Sequence, residues 1–311
     1  MNILITYFSG TGNTAFVAGR LARKLKAPGS DEDAAARHAI SCMPIERVGD
    51  PDLTAADVVV LGFPVYACDA PTPVYEFVGR TAPASRAPAD RTRPTPVLLF
   101  CTKGLVAGSA LRRLTRAVAP SRFQVVGGIT ILMPGSDALL YSRRGGWYHR
   151  WAISRDYDAL PGLDQLAALV EDVAVTGADH RARLPFSIGG VIVGWFLRPL
   201  YILIERRLGS RFSADERCNG CRRCEEICSV QNITVDTVEP RAAPGGVTRR
   251  SFTVTFSDRC ILCLRCVTQC PTEAIQIGKW SEGTVRWHGP LGTFDPRRAP
   301  EYPPPPGART G

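Results

Sequence analysis

Apolar and polar positions come in alternating blocks along the first half of the chain. Asn2–Phe8 is a short apolar run ending at Ser9-Gly10, and Asn13–Leu25 then carries Phe16, Val17, Leu21 and Leu25 at helical spacing. His38–Met43 reads as a weak strand. Asp57–Phe63 (Val58, Val59, Val60, Leu61), Pro96–Cys101 (Val97, Leu98, Leu99, Phe100) and Val125–Leu132 read as strong ones. Helical patterns fall near Pro73–Gly79, Ser109–Val118 and Leu163–Val175. Continuous Val and Leu runs suit strands covered on both faces. Their alternation with helices predicts a parallel sheet with right-handed crossovers. The expectation is an open, doubly wound α/β domain of five strands over residues 1–180.

The second half is patterned differently. Phe186–Ile204 is apolar over nearly the length of a membrane span. Arg198 and Pro199 interrupt it, and both flanks are basic (Arg181, Arg183; Arg206, Arg207), which sets no orientation. The reading is an apolar linker helix, 181–210, buried between two domains, with contact at a membrane surface and a true span as the alternatives. Residues 211–279 contain a repeat at an offset of 42: Cys218, Cys221, Cys224, Cys228, Ile233 and Val235 map onto Cys260, Cys263, Cys266, Cys270, Ile275 and Ile277. Residues 239–251 read as a loop inserted between the halves. After Trp280 the chain turns Pro-rich and contains the run Pro303–Pro306, so 280–311 is expected to be a disordered tail without chemistry.

Composition narrows the picture. The 311 residues are 45% apolar and 22% charged, which excludes a wholly disordered chain. The formal charge of +9 rests on arginine, since only Lys24, Lys26, Lys103 and Lys279 are lysines. Residues 101–150 hold eight Lys/Arg against one acid, Asp137. No basic run is interleaved with aromatics, so nucleic acid is not an expected partner. The basic stretch reads as a solvated face, or as one that docks an acidic redox partner protein or an anionic surface. Met1–Phe8 lacks the charged start of a secretory signal. A cytoplasmic setting with reduced thiols is therefore expected, with Phe186–Ile204 as the candidate for peripheral contact with the inner face of the membrane.

Eight of the 11 cysteines lie between Cys218 and Cys270, in two runs of C-x2-C-x2-C-x3-C. Three cysteines spaced by three place their sulfurs on one curved turn, and the fourth of each run ligates the other cluster. The expected sets are Cys218, Cys221, Cys224 and Cys270 for one cluster, and Cys260, Cys263, Cys266 and Cys228 for the other. Structural zinc prefers two separated C-x2-C pairs, and disulfides do not suit a reducing compartment. The second run ends Cys270-Pro271 as the bacterial pattern has it; the first ends Cys228-Ser229. Residues 211–279 resemble the bacterial two-cluster ferredoxins. That resemblance implies a small α+β domain with two [4Fe-4S] clusters and one-electron transfer.

Ser9-Gly10-Thr11-Gly12-Asn13-Thr14 joins the first strand to the first helix. Backbone amides, a helix N-terminus and three hydroxyls converge there as a phosphate requires. Gly10-x-Gly12-x-x-Ala15 also satisfies the dinucleotide fingerprint, but Asp31, Glu32 and Asp33 sit in a polar loop, not at the end of a strand. Ile3–Thr14 resembles the first strand and phosphate loop of flavodoxins. The resemblance implies a flavodoxin-like sheet in the order 2-1-3-4-5 with FMN over the carboxyl ends of the strands. It further implies that Ser9, Gly10, Thr11, Gly12, Asn13 and Thr14 hold the phosphate and that Pro64, Val65, Tyr66 and Ala67 approach the ring, with Tyr66 stacking. Thr102, Lys103 and Gly104 would form the other wall. The whole chain resembles flavodoxin–ferredoxin fusion proteins. This implies an electron-transfer protein relaying electrons between two [4Fe-4S] clusters and FMN. The alternatives are an FMN-dependent reductase of a small substrate, which an aromatic cavity near Tyr141, Trp147 or Tyr148 would favour, and a membrane-associated electron-input subunit. Cys101 is expected in the core and Cys68 near the flavin. His38, His149, His180 and His288 have no metal spacing and are expected on surfaces or loops.

Overall fold

The computed structural model describes residues 1–26, 38–81, 93–118, 122–181, 184–185, 188–238 and 251–298. β1 (Asn2–Tyr7) leads into α1 (Asn13–Lys26), followed by β2 (Ala39–Pro44), α2 (Asp50–Ala55), β3 (Val58–Pro64) and α3 (Thr72–Thr81). Then come β4 (Thr95–Lys103), α4 (Ala110–Val118), β5 (Phe123–Leu132), α5 (Ser136–Leu140), α6 (Trp147–Ser154) and α7 (Leu163–Thr176). The five strands are parallel in the order β2-β1-β3-β4-β5, the flavodoxin-like arrangement expected from the strand pattern.

Period-two alternation explains why both faces are dry. Ile3, Ile5, Val58, Val60, Leu98 and Phe100 point to one side, against α1 and α7. Leu4, Val59, Leu61, Val97 and Leu99 point to the other, against α3 and α4. Each such side chain contributes roughly 1.5–3 kcal/mol by leaving water, so the sheet is a rigid platform for the loops at its carboxyl edge. His38 lies in the loop before β2, its ring buried beside Glu171, Nε2 to Oε2 3.1 Å.

α8 (Ile188–Gly209) crosses from this domain to the next. The expectation of a buried linker needs correcting, because Ile192, Trp195, Phe196, Leu200, Leu203 and Ile204 are exposed. Apolar residues occur around more of the helix than one neighbouring surface can cover. Among the described residues no helix is long and apolar enough to cross a membrane.

The small domain follows as β6 (Phe212–Ala214), α9 (Arg223–Glu226), β7 (Ile233–Val238), β8 (Ser251–Phe256), α10 (Arg265–Thr268) and β9 (Ile275–Ile277). β6 pairs antiparallel with β9, and β7 with β8. Its core joins Phe212, Leu264, Val267, Ile275 and Ile277 to Leu208 of α8.

The expected disordered tail also needs correcting. Residues 280–298 fold back over the first domain, with Val285 and Trp287 buried. The Trp287 indole donates to Asn13 Oδ1 at 2.8 Å. Val285, Trp287 and Phe294 give this strap enough apolar surface to dock, which the proline content concealed. The Pro303–Pro306 run, residues 239–250, Asp31, Glu32, Asp33 and Phe186 lie outside the described residues.

Candidate functional site

The carboxyl ends of β1, β3, β4 and β5 open onto one cavity of about 670 Å³, within the size range of small-molecule sites. It sits where the strand order reverses, the position the topology favours for ligands. Ser9, Gly10, Thr11, Asn13 and Thr14 border it on one side; Pro64, Val65, Tyr66 and Ala67 on another; Thr102, Lys103 and Gly104 on a third. Gly12 is displaced from this lining. Its φ is +103°, and it faces Gly289 and Phe294 of the strap, where a β-carbon would collide.

Side chains brace the loop. The Gly12 amide donates to Ser9 Oγ at 3.2 Å, Thr14 and Thr102 hydroxyls meet at 2.8 Å, and Asn13 Nδ2 donates to the Pro134 carbonyl at 2.7 Å. Thr11 and Ser136 hydroxyls are in hydrogen-bond contact. α1 has no acidic residue in its first turn, whose amides lack intrahelical acceptors. An anionic phosphate thus finds donors at this end and no carboxylate in the first turn of α1. Across the cavity, Tyr66 and Asp69 exchange backbone hydrogen bonds of 2.9 Å each way around Ala67 (φ 49°) and Cys68 (φ 61°). Two non-glycine residues in the left-handed region make a strained turn, held by the buried Asp69 carboxylate. Asp69 accepts from Tyr75 at 2.6 Å and pairs with Arg113 at 3.5 Å and Arg198 at 3.1 Å.

Cysteines of the two runs come close to one another. Burial pushes the Cys224 thiol up to about 11, helped by the facing Cys270, Cys221 and Cys218. Burial also raises Cys266 well above the ordinary thiol value, helped by Cys263, Cys260, Cys228 and Cys224. Cys218, Cys221, Cys224 and Cys270 line one small hollow. Among the described residues no three His, Cys, Asp or Glu close on a single-ion site. Four thiolates on one zinc ion would converge at about 2.3 Å from it. A four-iron cube instead takes each sulfur on a separate iron, so each cube requires four cysteines.

The backbone repeats with the sequence. Gly220 and Leu262, Arg222 and Leu264, and Gln231 and Glu273, each pair separated by 42 positions, all have positive φ. Asn232 donates its amide to Cys228 Sγ, and Ala274 to Cys270 Sγ, both at 3.2 Å. Left-handed backbone at side-chain-bearing residues is costly and persists where the loop must wrap something.

Comparison with known proteins agrees: residues 217–281 match the 4Fe-4S dicluster domain family. The chain joins a flavodoxin-like sheet to a 4Fe-4S dicluster domain. It thus carries two [4Fe-4S] clusters and has an electron-transfer role. Among solved structures, a flavodoxin from the domain Archaea is 15% identical with a TM-score of 0.37, covering 56% of this chain and 96% of that one. A flavoprotein in complex with FMN from Lactobacillus acidophilus NCFM is 14% identical with a TM-score of 0.30, covering 42% and 92%. Rubredoxin oxygen:oxidoreductase from Desulfovibrio gigas is 12% identical with a TM-score of 0.35, covering 56% and 37%. The flavodoxin-like assignment rests on the sheet order and not on these scores. No curated protein matches the chain.

The dicluster domain docks at the phosphate-loop end of the cavity. Leu262 and Cys263 complete the cavity wall. A β-carbon on Gly10 would collide with the Cys263 carbonyl and the Tyr66 hydroxyl, so glycine is what admits the cluster loop. Burial raises the Tyr66 phenol far above its usual value, with Cys263 adding to the effect. Arg265, between Cys263 and Cys266, is buried at this junction. It donates to the Ser9 carbonyl at 2.8 Å and the Ile227 carbonyl at 3.4 Å, pairs with Glu46 at 2.7 Å and lies 4.4 Å over the Phe8 ring.

Several site residues escaped the sequence reading. Met133, Pro134, Ser136 and Asp137 follow β5 and line the cavity, as do Trp151 and Tyr201, beside Trp147 and Tyr148, which the sequence pointed to. The Pro134-Gly135-Ser136 turn at the end of a recognised strand was the available clue. Nothing local marks Tyr201 or Trp287. Cys68 lines the cavity, while Cys101 is fully buried with its thiol pushed up to about 12.

Proposed function

We propose that this chain is an electron relay in which the dicluster domain exchanges electrons with an FMN held over the carboxyl ends of the sheet. The observation that carries it is a shared wall: Cys263, a ligand of the second cysteine set, borders the same cavity as the phosphate loop. When bound, FMN supplies a store for one or two electrons, while the clusters exchange one at a time. Thr11, Asn13, Thr14 and the α1 amides supply the donors for its phosphate. Tyr66 and Gly104 flank the space for its ring, and Lys103 brings a cation to that space. Arg265 fixes the Cys260–Cys266 loop against Ser9, which makes the second cluster the one nearer the cavity. The first set lies outward, with Cys221 exposed, which supports electron exchange with an outside redox partner there. Tethering donor and acceptor in one chain raises their effective concentration.

A second reading keeps the same cofactors but adds a small-molecule acceptor. Trp147, Tyr148 and Trp151 extend the cavity wall, with the Tyr148 and Trp151 rings stacked at 5.2 Å. That aromatic wall favours turnover of a flat, apolar substrate.

Anaerobic isolation with iron and flavin quantitation tests the primary reading. The expected result is about eight irons and one FMN for each chain. Iron without flavin after incubation with FMN would overturn the relay.

A further inference from the structure

We infer that α8 is a membrane-surface helix, which lays its outer face on an anionic bilayer and holds the cavity mouth beside it. At 100° per residue, Ile192, Trp195, Phe196, Leu200, Leu203 and Ile204 share one side of the helix. All six are exposed, Trp195 at 72% and Phe196 at 65%. The opposite side carries Arg198, paired to Asp69 at 3.1 Å, and Tyr201, which lines the cavity. A water-facing helix has the reverse arrangement, polar outward and apolar inward. A contiguous exposed apolar face of this kind marks a contact surface.

Charge identifies what covers it. The Asp69 carboxylate oxygen that takes Arg198 also takes Arg113 of α4 at 3.5 Å, so α4 adjoins α8. α4 presents Arg112, Arg113 and Arg116 without an acid, and the loop before it exposes Leu105 at 86%. Arg207 lies on the exposed side of α8 itself. A second copy packed on this face by two-fold symmetry would bring the same cations together. An anionic bilayer satisfies both parts: its interface takes the indole and phenyl rings, and its phosphates meet the arginines. Since no described helix can span, α8 lies in the plane of the interface. This inference is independent of the electron relay.

Sedimentation of the full-length, cluster-loaded protein with vesicles tests it. One vesicle is phosphatidylcholine alone; the other contains phosphatidylglycerol in equal part. Binding is expected to the second and not to the first, and to fall in high salt. Trp195→Glu with Phe196→Glu should weaken it by about a hundredfold. Arg116→Ser with Arg207→Ser should weaken it by roughly five-fold for each arginine removed. Cluster absorbance in each variant reports that the fold is kept. No sedimentation, equal sedimentation with both vesicles, or unchanged binding in both variants would overturn the proposal. So would a dimer in size-exclusion chromatography that the Trp195/Phe196 variant converts to monomer, since a second copy would then own the face.

Discussion

Arg265 shows how much one side chain carries at the junction. Its guanidinium is buried and spends its donors on two backbone carbonyls and Glu46, so it binds cluster loop, phosphate loop and β2–α2 turn together. Arg265→Gln keeps bulk and loses the charge. Glu46 is about a third exposed and is left to water, so the cost is that of the unmade buried hydrogen bonds, about 1–3 kcal/mol. Denaturant unfolding of the holoprotein measures it, and an unchanged midpoint would remove Arg265 from the junction. Lys103 acts differently. A cation beside the ring space favours whichever flavin state carries more negative charge. Lys103→Ala should lower the FMN reduction potential; a redox titration that finds it unmoved would sink that role.

At the scale of elements, the strap formed by residues 284–298 ties the phosphate loop to both cysteine runs. Trp287 holds Asn13, Gln269 donates to the Phe294 carbonyl at 2.6 Å, and Asp295 pairs with Arg223 at 3.1 Å. His288 sits within it, accepting from Gln269 at 3.3 Å. Burial holds its imidazole below the ordinary value of 6.5, with Arg223 acting the same way and Glu273 opposing. The unfolded strap therefore binds the proton more readily. The stability of the docked strap is complete above 6.5 and is lost as pH falls through the lower, folded value. Hydrogen exchange across residues 284–298 should quicken from pH 7 to pH 5, and His288→Gln should flatten that dependence. A flat profile in the parent chain would contradict it. These elements also mark where sequence reasoning stopped. The five strands and the doubled cysteine runs were legible because periodicity and spacing are local. The inverted burial of α8 and the docked strap depend on partners up to 274 positions away, such as Trp287 on Asn13, and no window along the chain contains both.

In the whole molecule, two structural units are fitted so that one cysteine set shares a wall with the ligand cavity. Gly10 permits that approach and the strap closes it from the other side. The fold was readable from sequence almost strand by strand, while the site was readable only in the half that lies on the first, third and fourth strands. The rest is assembled from α8, the β5 loop and the strap, which tertiary packing brings in. The account stands on electrons passing between clusters and FMN within one chain. Single-electron injection by flash photolysis into the oxidised, fully loaded protein tests this most directly, with cluster and flavin absorbance followed together. The account predicts that the electron redistributes between them in a first-order step whose rate does not change with protein concentration. A redistribution rate that rises in proportion to protein concentration would mean that the cofactors meet only between molecules, and would contradict it.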